Sequence, residues 1–149
     1  MEQEFMSKKM ISKIVFLATN WGTKHGGINS FNTDICCAFA KLLQDTYKII
    51  CIVFNATENE KKEALLKNVT LIPINPSSKE LDDDWINLVL TKINSIKPKG
   101  VHAWIGHDVK TGFGAIKAAQ KSCNSINVVV HHMNYKAYTS IWGGGTQEI

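Results

Sequence analysis

The stretch Ala18-Thr19-Asn20-Trp21-Gly22-Thr23-Lys24-His25-Gly26-Gly27-Ile28-Asn29-Ser30 decides how the rest of the chain reads. Before it, Ile14-Val15-Phe16-Leu17-Ala18 is an unbroken apolar run of strand length, the pattern of a strand covered on both faces. After it, Phe31, Ile35, Ala38, Leu42 and Leu43 recur at helical spacing and are expected to face the core, with Asn29 or Ser30 placed to cap the first turn. The unit is strand, glycine loop, helix. A helix start exposes unpaired backbone N–H groups and the positive end of the peptide dipoles, and Gly26-Gly27 lets a ligand approach the backbone closely. An anion fits there. The pair matches neither the dinucleotide fingerprint G-x-G-x-x-G nor a P-loop, so it reads either as a ligand loop of another kind or as a turn leading into a helix.

Working outward, the same alternation repeats. Tyr47 to Phe54 is a second buried strand, and Glu58 to Lys67 a short charged helix with Ala64, Leu65 and Leu66 inward. Val69 to Ile74 carries an internal proline, which places it near a sheet edge. Glu80 to Lys97 puts Leu81, Trp85, Leu88, Val89, Ile93 and Ile96 on one helical stripe. Its acidic start, Glu80 with Asp82, Asp83 and Asp84, reads as a solvated first turn favoured by the helix dipole. Val101 to Ile105 is a fourth strand and Gly106 to Gly112 a loop. A helix from about Gly112 to Ser122 turns Phe113, Ile116, Ala119 and Cys123 inward, and Ile126 to Val130 is a fifth strand.

Five strands alternating with helices argue an α/β fold, a doubly wound parallel sheet with helices on both faces and strand order 3-2-1-4-5. Ligands of such sheets sit at the carboxyl ends of the strands where the order reverses. There the Gly26-Gly27 loop neighbours His107-Asp108, with His131-His132 one strand further out. Strand alternation sends one of His131 and His132 into the crevice and the other away. Trp21 either stacks on a ligand ring or covers the core. His107, Asp108 and one of the paired histidines are chemically able to hold a metal, but their spacing matches no metal motif and none is expected.

The 149 residues suffice for one domain with its own core: an extension over 1–12, the domain over 13–140, and a flexible segment or truncation point over 141–149. With 17 basic and 13 acidic residues the balance is +4, spread along the chain, which hints at anionic ligands and gives no basic run for nucleic acid. Cys36, Cys37, Cys51 and Cys123 lack C-x-x-C spacing and read as reduced thiols of a cytoplasmic protein. No secretory signal and no transmembrane segment is expected.

Taken in order, these motifs resemble the N-terminal half of family 4 glycosyltransferases of the GT-B type, over roughly Lys13 to Tyr138. Three elements carry the resemblance: the glycine loop Thr19 to Asn29, the run Ile105 to Gly112 with His107-Asp108, and Val128-Val129-Val130-His131-His132. The resemblance implies a Rossmann-like domain that transfers a sugar from a nucleotide-sugar donor, with no further cofactor. It puts Gly26 and Gly27 near the donor phosphates and His132, ahead of His131, near the reacting centre. On this reading His131, His132 and His107 are catalytic, and Trp21, Gly26, Gly27, Asn29, Ser30 and Asp108 bind ligand. The partner is a nucleotide-sugar or sugar phosphate, joined by a second domain or by self-association. The family's second Rossmann-like domain lies outside these residues. The expectation is therefore an acceptor-side half that needs that domain for activity, or else a non-catalytic module that senses a nucleotide or sugar phosphate.

Overall fold

The computed structural model describes residues 10–78 and 81–132. The expected C-terminal segment 141–149 and most of the N-terminal extension fall outside them, as does Glu80. The elements run β1 (Ser12–Leu17), a single 3-10 turn (Thr23–His25), α1 (Gly27–Leu43), β2 (Tyr47–Val53), α2 (Glu58–Leu66), β3 (Val69–Pro73), α3 (Asp83–Asn94), β4 (Val101–His107), α4 (Lys110–Gln120) and β5 (Ile126–Val130). All strand pairings are parallel and the order is β3-β2-β1-β4-β5. The fold is the doubly wound Rossmann-like sheet that the alternation of elements implies, with the proline-containing β3 at one edge.

Residue alternation along the strands builds two cores. Ile14, Phe16, Ile49, Cys51, Val53, Ala103 and Ile105 meet Cys36 and Ala40 of α1 and Ala64 of α2 on one face. Val15, Leu17, Ile50, Ile52, Val101 and Trp104 meet Trp85, Ile86, Val89 and Ile93 of α3 and Ala115, Ala118 and Ala119 of α4 on the other. One irregularity breaks the parity. The β1–β4 register passes from Lys13↔Val101 to Ile14↔Ala103, skipping His102. Val101 and Trp104 therefore share one face, while Ala103 and Ile105 take the other; His102 is exposed and stacks at a tilt on Tyr47.

Several expected inward residues lie outside the core. Phe31, Ala38 and Leu42 of α1 are exposed, and the inner face is instead Asn29, Asn32, Cys36 and Ala40. The short side chains of Cys36 and Ala40 let the helix pack close to the sheet, and the asparagines face the polar end of the strands. In α2 only Ala64 is buried, with Leu65 and Leu66 in solvent. Leu88 of α3 is exposed and Ile86 takes the inner position. In α4 the inner face is alanine and glycine, leaving Phe113 and Cys123 exposed. Gly114 explains this closeness, since a Cβ there would touch Leu81 at 3.2 Å and Leu17 at 3.3 Å. Helix α3 starts at Asp83, three residues later than expected, because Asp82 accepts the Trp85 N–H at 3.0 Å as its cap.

At the N-terminal end of the sheet, Lys13 is fully buried. Its Nζ donates to the carbonyls of Ile93 at 2.9 Å, Ile96 at 2.6 Å and Pro98 at 2.8 Å. These are carbonyls at and beyond the end of α3, where the helix dipole is negative and intrahelical donors have run out. Burial pushes the Lys13 ammonium below its ordinary range, and the carbonyls hold it.

Three substitutions test this architecture. Lys13→Met keeps the stem but orphans three carbonyls, and is expected to cost about 3 kcal/mol in urea unfolding; an unchanged midpoint refutes the clamp. A Cβ at Gly106 would lie 2.1 Å from the Thr111 carbonyl oxygen, whereas one at Gly27 meets nothing within 4 Å. Gly106→Ala is therefore expected to cost more than about 3 kcal/mol or prevent folding, and Gly27→Ala to leave the unfolding midpoint within about 1 kcal/mol of the parent.

Candidate functional site

The carboxyl ends of β1 and β4, on either side of the point where strand order reverses, open onto a hollow of about 600 Å³. The glycine loop and start of α1 line one side with Gly26, Gly27 and Asn29. His107, Asp108, Lys110, Thr111 and His132 line the other.

The loop side is held by side chain to backbone bonds. Asn29 is not the expected cap: α1 begins after Gly26, a glycine at φ 94°, and no side chain caps its first turn. The Asn29 amide instead donates to the His25 carbonyl at 2.9 Å and Thr19 Oγ1 at 3.0 Å, and accepts the Asn20 N–H at 3.1 Å. It ties the loop to its own helix, and Thr33 Oγ1 adds a second tie by accepting the Gly22 N–H at 2.9 Å. Ser30 does not cap either; its N–H donates to the Gly26 carbonyl at 3.0 Å and its side chain is not on the wall of the hollow. Trp21 is 3% exposed and belongs to the core on the α1 face, the second of its two readings. It borders a separate hollow with Asn20, Phe54 and Glu60.

On the other side, β4 runs two residues further than expected, through Gly106 and His107, because these pair with Val129 and Val130 of β5. Asp108 then sits at φ 49°, its N–H on the Val130 carbonyl at 2.9 Å, and α4 starts at Lys110 instead of Gly112. A left-handed aspartate is costly and persists only where surrounding bonds hold it. Thr111 supplies one: its Oγ1 accepts the His107 N–H at 2.8 Å. Gly112 also approaches β5 closely, since a Cβ there would lie 2.7 Å from Val129.

His107 is consequently 3% exposed and not a surface-loop histidine. Its Nδ1 lies 2.9 Å from His132 Nε2 and its Nε2 lies 2.7 Å from Asn32 Oδ1, so neither ring nitrogen is free for a ligand or a metal. Asp108 Oδ1 accepts the His132 N–H at 2.9 Å, and its Oδ2 is buried without a partner among the described residues. His132 is half-buried and faces the hollow. The side chain of His131 is 78% exposed and lies 3.8 Å from Asp108 Oδ1. Phe31 packs edge-on against both imidazoles, with ring centroids 4.9 Å from His132 and 6.1 Å from His107. Among the described residues no group of three or more His, Cys, Asp or Glu is arranged to hold a metal.

Asn32, Thr111 and Phe31 are the residues that sequence reasoning missed. The signal for Asn32 was present: a polar residue three after Asn29, on the face of α1 that also carries Cys36.

A doubly wound α/β domain with a ligand-sized hollow at its switch point is the class that fold and geometry define. Over residues 15–147 the chain matches the family described as Family 4 Glycosyltransferase in conflict systems, and it belongs to that family. It is thus a glycosyltransferase-type domain. No curated protein and no solved structure matches it. Among the described residues, no helix is long and apolar enough to cross a membrane.

Burial, and secondly the charge of His132, lowers the His107 pKa from 6.5 to about 4, against an opposing pull from Asp108. The folded value lies below the unfolded one, so between the two the unfolded state binds more protons. The stability this group confers is full above about pH 6.5 and drains as pH falls toward 4, a change on the order of 3 kcal/mol. Urea unfolding across that range is expected to show this slope in the parent chain and a shallower one in His107→Gln. Equal slopes refute the assignment.

Proposed function

We propose that the hollow is the acceptor-side half of a glycosyltransferase site that uses a nucleotide-sugar donor and is completed by a second Rossmann-like domain. The observation that carries this reading is that one hollow has two chemically distinct walls, in a chain of a glycosyltransferase family. The first turn of α1, uncapped by any side chain and flanked by two glycines, offers backbone N–H groups and a positive dipole end to the donor phosphates. Lys110, on the opposite wall, adds a cation.

His132 stands nearest the reacting sugar and orients it through a ring nitrogen. Asp108 steadies His132 by accepting its backbone N–H at Oδ1. His107 holds His132 from behind, since both its nitrogens are engaged within the protein. Transfer needs donor and acceptor aligned in a site that excludes water, and such alignment is worth on the order of several kcal/mol. The second domain supplies the remaining wall on this reading.

Calorimetry of the 149-residue chain against UDP-glucose, UDP-N-acetylglucosamine, GDP-mannose and glucose 1-phosphate tests the proposal. At least one is expected to bind, with affinity falling roughly tenfold in His132→Ala, the loss of one good hydrogen-bonding contact, and by at least as much in Gly27→Val, whose side chain blocks the approach of a phosphate to the backbone N–H groups. No heat from any of the four, or binding indifferent to both substitutions, removes this site from consideration.

A further inference from the structure

The row of polar groups behind His132 has a direction, and the direction follows from what each atom is able to do. It begins in the core. Cys51 Sγ lies 4.0 Å from the Ile52 carbonyl oxygen, which accepts the thiol hydrogen and leaves the sulfur as an acceptor. Asn32 Nδ2 donates to that sulfur at 3.4 Å, which turns Asn32 Oδ1 toward His107.

An amide oxygen only accepts, so His107 Nε2, at 2.7 Å, must carry a proton. His107 is neutral at ordinary pH, for its burial disfavours a second proton. Its Nδ1 is therefore a bare lone pair. His132 Nε2, 2.9 Å from that lone pair, must be the donor. The bonds thus run from His132 to His107, Asn32, Cys51 and the Ile52 carbonyl. A neutral His132 has one proton to share between two nitrogens, and the row claims it for Nε2. Its Nδ1 is left unprotonated, and that atom has no partner among the described residues.

We infer that Asn32 is a positioning residue which, acting through His107, selects the Nε2-protonated tautomer of His132 and so leaves His132 Nδ1 as a hydrogen-bond acceptor for a hydroxyl group of the ligand. This rests on the sugar-binding reading of the hollow and adds a selectivity to it. A bare imidazole nitrogen attracts an O–H and repels a phosphate oxygen, so the His132 wall takes the hydroxyl-bearing part of a ligand and the Gly26-Gly27 wall its phosphate. Two further contacts hold the arrangement: Asp108 Oδ1 accepts the backbone N–H of His132, and Phe31 packs roughly perpendicular to both imidazole rings. Without Asn32, His107 is free to move its proton to Nδ1, and His132 would then have to present N–H at the hollow.

The tautomers are readable directly from long-range proton–nitrogen correlation spectra of the ¹⁵N-labelled full chain at mildly alkaline pH. The parent is expected to show protonated Nε2 and bare Nδ1 in both His107 and His132. Asn32→Asp keeps an acceptor oxygen and is expected to retain both tautomers while raising the pH at which His107 gains its second proton. Asn32→Leu removes the acceptor and is expected to shift His132 measurably toward the Nδ1-protonated form.

A parent His132 protonated at Nδ1 overturns the inference, as does a folded Asn32→Leu chain with the parent's tautomers. Should the leucine variant not fold, the parent spectrum and the aspartate variant decide the matter. These spectra need no ligand. If they come out as stated while UDP-glucose, UDP-N-acetylglucosamine and GDP-mannose all fail to perturb His132, the sugar reading falls and the hold of Asn32 on the tautomer stands.

Discussion

The hydrogen bond between His107 and Asn32 depends on which face of the sheet the end of β4 presents, and most of the site depends on that bond. Val101 faces α3 and α4. Strict alternation from Val101 would carry Ala103, Ile105 and His107 to that same face, away from α1. The register break at His102 reverses the parity, so that Ala103 and Ile105 pack on the α1 side and His107 meets Asn32 there. A bulge at the start of the strand thereby aims an imidazole at its far end.

The two ends of the sheet carry different chemistry. At the N-terminal end of β1, a buried lysine closes the exit of α3 by donating to three carbonyls there. At the C-terminal end the chain is open. Helices α2 and α3, away from the hollow, are capped by Thr57 with Glu60 and by Asp82. Helices α1 and α4, which start on the hollow, have no side-chain caps. Unmet N–H groups cost stability in an isolated fold and are useful where an anion arrives. The same contrast holds for Asp108, whose Oδ2 is left unpaired in a left-handed residue at the same place.

The neutrality of His107 matters as much as its geometry. A charged imidazole inside this packing would lose water without gaining a counter-ion it faces directly, which is why burial drives the His107 pKa down. His107 therefore acts at neutral pH as a dipole between His132 and Asn32. Membership in a glycosyltransferase family fits a wall of that kind, because sugar hydroxyls are recognised through directional hydrogen bonds.

The sequence by itself determined the sheet, its order, its edge strand and the convergence of Gly26, Gly27, His107, Asp108 and His132, because unbroken apolar runs alternating with helical stripes leave few ways to wind a parallel sheet. It also carried the family resemblance. It misjudged which helix faces are buried: counting large apolar residues favours Phe31, Leu42 and Phe113, whereas close packing on the sheet selects Cys36, Ala40 and the alanines of α4. The choice between His131 and His132, the burial of His107 and the place of Asn32 were decided only in three dimensions. A bulge, a glycine-permitted approach of α4 and a buried amide set those directions, and each depends on residues brought together from distant parts of the chain, which no local periodicity encodes.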